Sequence, residues 1–436
     1  MPSTLSVSDE IDAAGLNARH WWMVAILALV TLFDGYDVFA PAYVIPFGLR
    51  EWGLKPSQAG LLVSSGLVGF MLGSLSVGAI ADRIGRKPTL IAALLVASLL
   101  NLVTAAWVRS FDSFLALRLC TGIGLGMLLP LAVTIINETG PRRSTNLLVG
   151  CVMVGWSVGG VLAPLTAIWL APHYGWPALF WFAGFAVPLV LACLFVLHET
   201  PRFLASRGRH AQAGKVLGWL RPDRAAAYAD ASFEAPEVKA RAGSIAVLFK
   251  SEVRRSSLAV WLCAALSLFA IYGLSSWLPQ LMIQRGQSFG ASFGFGALLQ
   301  TAAVIGGVAC GWAADRRDKL LVLQGCWWLG ALAVGGLAVS HLPWADIALV
   351  SVAGFMIMGA QPVLNNLTAG LYPTEVRSTG VGMELGVGRL GGILGPYIGG
   401  WLQQVAPGSG GLLLAMAAAL ALSALAILLV RRPARS

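Results

Sequence analysis

Asp34 and Asp37 stand three positions apart inside an apolar run, 21–47. That spacing places both on one face of a helix. An ionised Asp at the centre of a membrane helix costs about 2.5–3.5 kcal/mol on insertion scales. Burial and like charge both favour the neutral form of a carboxyl. A group that holds a proton in one setting and releases it in another is what proton coupling requires. Asp34 and Asp37 are therefore candidate coupling groups, with a helix cap or a simple cation partner as the plainer reading. Two arginines are embedded as well: Arg118 near the start of run 111–137, and Arg389 midway along run 378–404. Guanidinium stays charged and presents a planar fork to carboxylate. One arginine fits as the anchor of a bound organic acid, the other as the partner of Asp34 or Asp37. For Arg118, a helix-end side chain reaching out to water is the competing reading. Glu384, in the same run as Arg389, is a third embedded acid with no assigned partner. Gln300 is a candidate for substrate contact, whereas Gln361, Asn365 and Asn366 are expected to hydrogen-bond neighbouring helices. Tyr36, Phe39, Tyr272 and Trp277 lie near these polar faces and could clamp a ring by offset or edge-on packing.

The elements that must position these groups follow from composition. The 436 residues are 57% hydrophobic and only 11% charged, with mean hydropathy +0.76. Soluble domains carry about 25% charged residues, so a soluble globular enzyme is excluded, and so is disorder. The cysteines fall in apolar runs without metal or redox spacing; they read as small packing residues. No histidine cluster suggests a metal site, and no cofactor is expected.

A spanning helix needs about 20 mostly apolar residues. The chain offers twelve such runs: 21–47, 57–81, 88–108, 111–137, 146–171, 177–197, 257–283, 289–314, 320–340, 345–371, 378–404 and 410–430. Segment 1–20 lacks the basic region of a cleaved signal peptide, so the first span is expected to be retained. The N-terminus and the segments that follow even-numbered spans hold 24 of the 30 basic residues. The positive-inside rule then places both termini and segment 198–256 in the cytoplasm. The net charge of +10 is thus a topology signal, and nucleic-acid binding is a poor reading of it.

Segment 198–256 divides the chain into a six-span bundle (1–197) and a second one (257–436), and the halves match. GAIADR at 78–83 recurs as GWAADR at 311–316, RST at 143–145 as RST at 377–379, and GGVLAP at 159–164 as GGILGP at 391–396. Pro130 recurs as Pro362. Four matches in order at a nearly constant offset indicate a parallel repeat of two six-helix bundles. Such proteins hold their substrate between the halves near mid-membrane and rock around it. The fold class is therefore an all-α membrane protein of twelve helices.

GAIADRIGRK at 78–87, with its degenerate copy GWAADRRDK at 311–319, resembles the loop signature of the major facilitator superfamily. The resemblance covers essentially the whole chain. DGYD at 34–37, RLCTGIGLGMLLP at 118–130, WLP at 277–279, YPTEVRSTGVG at 372–382 and GVGRLGGILGP at 386–396 narrow it. They resemble the aromatic acid:proton symporters, which import benzoate-like acids with protons. Glu384 is a departure from the family pattern, as is Tyr36 where many members carry Phe. The resemblance implies that Asp82, Arg83, Arg86, Asp315 and Arg316 form a charged loop network between the halves, and Glu138, Arg142, Glu375 and Arg377 are further candidates for it from their place at the same loops. That network would hold the outward-facing state and break on opening inward. Glu138 is expected to pair with Arg142 or Arg83, with a plain surface Glu as the alternative.

These readings converge on proton-coupled import of aromatic carboxylates across a bacterial cytoplasmic membrane by a single chain. Its partners would be the acid, protons and lipid. Two alternatives remain at this level. One is a symporter of another organic anion or a sugar, since HETPRFLASRGR at 198–209 echoes sugar transporters. The other is a receptor of the same fold without flux.

Overall fold

The computed structural model describes residues 4–108, 110–228, 231–234, 248–249, 251–372 and 376–430. Among the described residues, twelve long helices follow the expected runs. In the N-terminal half these are α1 (Ala18–Phe39, carried on by shorter turns to Glu51), α2 (Pro56–Ile84), α3 (Arg86–Trp107), α4 (Phe111–Thr139), α5 (Thr145–Tyr174) and α6 (Pro177–Val196). In the C-terminal half they are α7 (Ser251–Gln284), α8 (Phe289–Arg316), α9 (Lys319–Val339), α10 (Pro343–Leu371), α11 (Arg377–Val405) and α12 (Ser409–Ala426). Among the described residues, eleven helices are long and apolar enough to cross a membrane. The remaining one, α11, carries Glu384 and Arg389. Its 29 residues still reach about 43 Å at 1.5 Å per residue, more than the hydrocarbon core of roughly 30 Å.

Polar residues start several helices. Asn17 accepts from the backbone of Arg19 at 3.0 Å, and Asp318 from that of Leu320 at 2.8 Å, each satisfying N–H groups left open by helix geometry. Between α2 and α3 the chain turns at Gly85, whose φ of +110° favours glycine. Large apolar side chains such as Trp169, Phe195 and Val308 point outward, as a lipid-facing surface requires.

The sequence repeat reappears as packing. A Cβ at Gly159 on α5 would collide with the carbonyl of Leu32 on α1, and a Cβ at Gly391 on α11 with that of Ala265 on α7. Glycine at these equivalent positions lets the helix backbones touch. The same pairing makes Leu32 and Ala265 equivalents, and with them Asp34 and Ser267, and Phe39 and Tyr272.

A small satellite core joins the N-terminal segment to the middle segment. Strands β1 (Thr4–Ser6) and β2 (Ser232–Glu234) pair in parallel. Val7, Ile11, Leu204, Leu217, Tyr228 and Phe233 pack beneath them. Glu10 receives Arg221 and Arg224 at 2.8 Å and the Tyr228 hydroxyl at 2.6 Å. Residues 4–14 therefore pack with the linker as well as preceding the first bundle.

Candidate functional site

The two aspartates of α1 meet different surroundings. Asp37 is 1% exposed and faces α3 and α4. Arg118 Nη1 donates to its Oδ1 at 2.6 Å, Arg118 Nη2 to its backbone carbonyl at 3.1 Å, and Asn101 Nδ2 to its Oδ2. The guanidinium also lies over the Phe180 ring, 5.7 Å from its centroid. Arg118 is itself 2% exposed, so the snorkelling reading does not hold, and its fork is committed to Asp37. Asp34 is fully buried, and among the described residues neither carboxyl oxygen has a hydrogen-bond partner. The charges that act on it are Arg389 and Asp37.

Arg389 lies at the seam between the halves. Its guanidinium sits 4.3 Å from the centroid of Phe70 on α2, and Nη1 donates to the Tyr272 hydroxyl at 3.4 Å. Among the described residues it has no carboxylate partner. Phe39 and Tyr272, one from each half, stack with centroids 6.4 Å apart and planes 14° apart. Trp156 meets Phe39 edge-on at 5.4 Å. Gln300 is 5% exposed, reaches toward Gly160, and leaves its Oε1 without a partner. Phe39, Phe70, Trp156, Tyr272, Gln300 and Arg389 thus form one cluster between the bundles, with Asp34 within electrostatic reach of Arg389. The cluster offers aromatic faces, an amide and a guanidinium without a carboxylate partner among the described residues.

Two aromatic candidates are placed elsewhere. Tyr36 is fully buried inside the N-terminal half. Its hydroxyl donates to the Leu179 carbonyl at 3.0 Å and accepts from Thr166 at 3.0 Å. Trp277 is fully buried and donates its indole N–H to the Pro396 carbonyl at 2.9 Å, stapling α7 to α11. Both hold helices together, because a buried hydroxyl or indole N–H needs a partner and found one within its own half.

The halves are joined on the side away from the chain termini. Ser64 donates to the Ile393 carbonyl at 2.7 Å and Ser57 to Gln404 at 2.6 Å, both from α2 to α11. Phe47 meets Phe289 at 5.6 Å across the same side. At the other end, among the described residues, the ion pairs of the loop candidates stay inside the N-terminal half. Arg86 bridges Asp82 at 3.0 Å and Glu138 at 3.1 Å, and Arg142 pairs with Asp12 at 3.3 Å. Glu138 therefore takes Arg86, and neither Arg142 nor Arg83 as the sequence suggested; Arg83 is exposed. Asp315 and Arg316 are exposed on the other half, Arg316 stacking over its own helix's Trp312 at 4.0 Å. Arg377 is exposed at the start of α11, and Glu375 lies outside the described residues. Among the described residues, the candidates of the expected inter-half network that form ion pairs do so within one half.

Several participants escaped the sequence reading. Asn101 was a polar residue in an apolar run, which is signal enough in a membrane helix. Phe70 and Trp156 carried no local signal. Glu199 and Thr200, seen only as part of an echo of sugar transporters, complete the loop cluster. Thr200 donates to Glu138, and Glu199 accepts the backbone N–H of Arg86 at 3.0 Å and of Thr200 at 2.9 Å. Burial pushes the Glu199 carboxyl above its ordinary range, opposed by those N–H donors and by Arg86.

Two bundles related by an internal repeat, with a charged cluster at their seam, define a membrane transporter rather than an enzyme. Residues 27–396 match the Major Facilitator Superfamily. The chain is 35% identical to a gallate transporter of Pseudomonas putida over 91% of its length and 88% of that protein's. It is 36% identical to the 4-hydroxybenzoate transporter PcaK of Pseudomonas aeruginosa, covering 91% and 89%. It is 28% identical to a benzoate transport protein of Acinetobacter baylyi, covering 93% and 88%. A D-xylose-proton symporter has the same fold, with TM-score 0.70 and 16% identity over 93% of this chain and 97% of that one. The chain belongs to the major facilitator superfamily and, within it, to the aromatic acid transporters.

Proposed function

We propose that this protein imports aromatic monocarboxylates together with protons, by alternating access across the cytoplasmic membrane. The observation that carries this reading is Arg389: a guanidinium at the seam between the halves, without a carboxylate partner among the described residues, set among Phe39, Phe70 and Tyr272. An aromatic acid supplies what that cluster lacks, a carboxylate for the fork and a ring for the aromatic faces. The relatives named for gallate, 4-hydroxybenzoate and benzoate carry substrates of this chemistry. Asp34 is the coupling group in this reading. An unpaired carboxyl buried in the seam is stable when neutral and costly when ionised, so it gains a proton before the halves close over it. Asp37 is the fixed neighbour, held by Arg118 and Asn101. The contacts between α2 and α11 seal the side away from the termini. With the basic segments cytoplasmic, this corresponds to a conformation facing the cytoplasm.

The test is uptake of labelled 4-hydroxybenzoate into proteoliposomes, with and without an inward proton gradient, for wild type and Asp34→Asn. Accumulation driven by the gradient in wild type and clearly lowered in Asp34→Asn, with exchange of labelled for unlabelled acid retained, supports symport through Asp34. Uptake indifferent to the gradient removes proton coupling. Gradient-driven accumulation as high in Asp34→Asn as in wild type moves the coupling group elsewhere.

A further inference from the structure

Glu384 is used by none of the contacts described so far. It lies two turns inside α11 from the end near the chain termini, and it is fully buried. No arginine or lysine pairs with it among the described residues, and its Oε2 has no hydrogen-bond partner. Its other oxygen faces one atom of the Asn365 side-chain amide on α10, 3.2 Å away. That same amide atom is 3.1 Å from Gln361 Nε2 and 3.1 Å from the Gln361 backbone carbonyl. Gln361 in turn accepts from Ser267 on α7 at 3.4 Å. Ser267 is the position equivalent to Asp34. A polar chain therefore runs inside the C-terminal half from the level of the coupling group to Glu384.

The Asn365 amide can sit in two orientations, and each fits one protonation state of its neighbour. With its nitrogen toward Glu384, it donates to Oε1 and to the Gln361 carbonyl, which suits an ionised carboxylate and requires Gln361 to turn its own amide so that its oxygen replaces Nε2 there. With its oxygen there, it accepts from Gln361 Nε2, and the approach to Oε1 becomes a hydrogen bond only when the carboxyl carries a proton. Among the described residues no charged side chain pairs with Glu384 or with Asn365, and Lys319 on α9 donates to the neighbouring Asn366 at 2.9 Å. Tyr372, at the end of α10, gives its hydroxyl to Ser257 at 3.0 Å. Arg254 and Arg255 are exposed at the start of α7, Arg389 is on Glu384's own helix, and the described part of α12 carries no charged side chain. On α2 the charged residues are Asp82 and Arg83, at its exposed end.

We propose that Glu384 is a second proton-carrying carboxyl, with Asn365 as the amide that turns to match its protonation state. Import of one aromatic monoanion then moves two protons and one net positive charge. One proton travels on Asp34; the other is taken up by Glu384 and released from it on the side of the chain termini. This rests on the proton-coupled reading above and sets its stoichiometry.

The experiment is 4-hydroxybenzoate accumulation in proteoliposomes held at equal pH inside and out, with a potassium–valinomycin potential of about 100 mV, negative inside. One net charge corresponds to a limit of about 50-fold accumulation at that potential. Wild type is expected to accumulate the acid on the potential alone, and Glu384→Gln to lose that response. Wild-type uptake driven by a pH gradient but indifferent to the potential overturns the second proton and leaves symport standing. So does a Glu384→Gln protein that keeps the potential response. Failure of both driving forces in wild type overturns proton coupling itself. Should Glu384→Gln not fold, infrared titration of wild type against Asn365→Leu decides. A titrating carboxyl band that shifts in the variant supports the proposal, and a carboxyl spectrum unchanged by the variant overturns it.

Discussion

The two halves share a backbone plan and differ in what fills it. At equivalent places Gly159 and Gly391 let α5 and α11 press against α1 and α7. Phe39 and Tyr272, also equivalent, stack on each other across the seam. Around this common frame the chemistry diverges. The N-terminal half has Asp34 where the C-terminal half has Ser267, and Ser157 where the other has Arg389. It also holds a closed charge cluster, Asp37–Arg118–Asn101, whose counterpart positions for Asp37 and Arg118 are Ala270 and Val350. The repeat preserves what packing needs, because backbone contact tolerates only glycine there. It does not preserve charge, because a site for an asymmetric molecule needs unlike walls.

The strongest way to break this comparison is through the closed cluster. Arg118→Leu leaves the Asp37 carboxylate buried with one amide, and removing one member of a buried pair costs about 3–5 kcal/mol. Thermal unfolding in detergent is expected to show that loss, and the double variant Asp37→Asn/Arg118→Leu to recover much of it. Equal losses in the single and double variants would mean that the pair is no closed unit. Arg389→Gln addresses the open charge. Uptake efficiency for aromatic acids is expected to fall about 100-fold, equivalent to about 2.7 kcal/mol, with little change in thermal stability. Arg389→Lys should restore only part, since a point charge does not reproduce the fork. Acid uptake that survives Arg389→Gln would remove the anchor. The shared frame is tested by Gly159→Ala and Gly391→Ala, each expected to cost about 1–3 kcal/mol by overpacking. Clearly unequal unfolding temperatures would show that the halves do not pack alike. The smallest effect is expected of Tyr272→Phe. Its hydroxyl contact to Arg389 is long, at 3.4 Å, so KM for acids should rise by less than about fivefold, within the ~1 kcal/mol of an ordinary hydrogen bond.

Much of the fold was legible because its signals are local. Apolar runs mark spans, and the observed helix limits fall within a few residues of them. Only α11 is unusual, its apolar character diluted by Glu384, Arg389 and many glycines. The site was less legible. Asp34, Asp37, Arg118 and Arg389 were detectable as charges in apolar surroundings, where each is costly and so calls for a purpose. Tyr36 and Trp277 were misplaced, because an aromatic near a polar face can bind or staple, and only its partner tells which. Phe70 and Trp156 were hidden among aromatics with no pattern of their own. Glu138 took Arg86 as its partner because Thr200 and Glu199, distant in sequence, fold beneath the same loop.

The sequence by itself determined where the apolar runs lie, how the two halves match in sequence, and which ionisable groups fall inside those runs. These depend on residue type and short-range spacing alone. Only the tertiary structure decided which embedded charge is paired and which is not. Residues three apart on a helix differ in direction by about 60°. That angle turns Asp37 toward α3 and α4, where Asn101 and Arg118 wait. It leaves Asp34 buried without a hydrogen-bond partner among the described residues, within electrostatic reach of Arg389 from the other half of the chain.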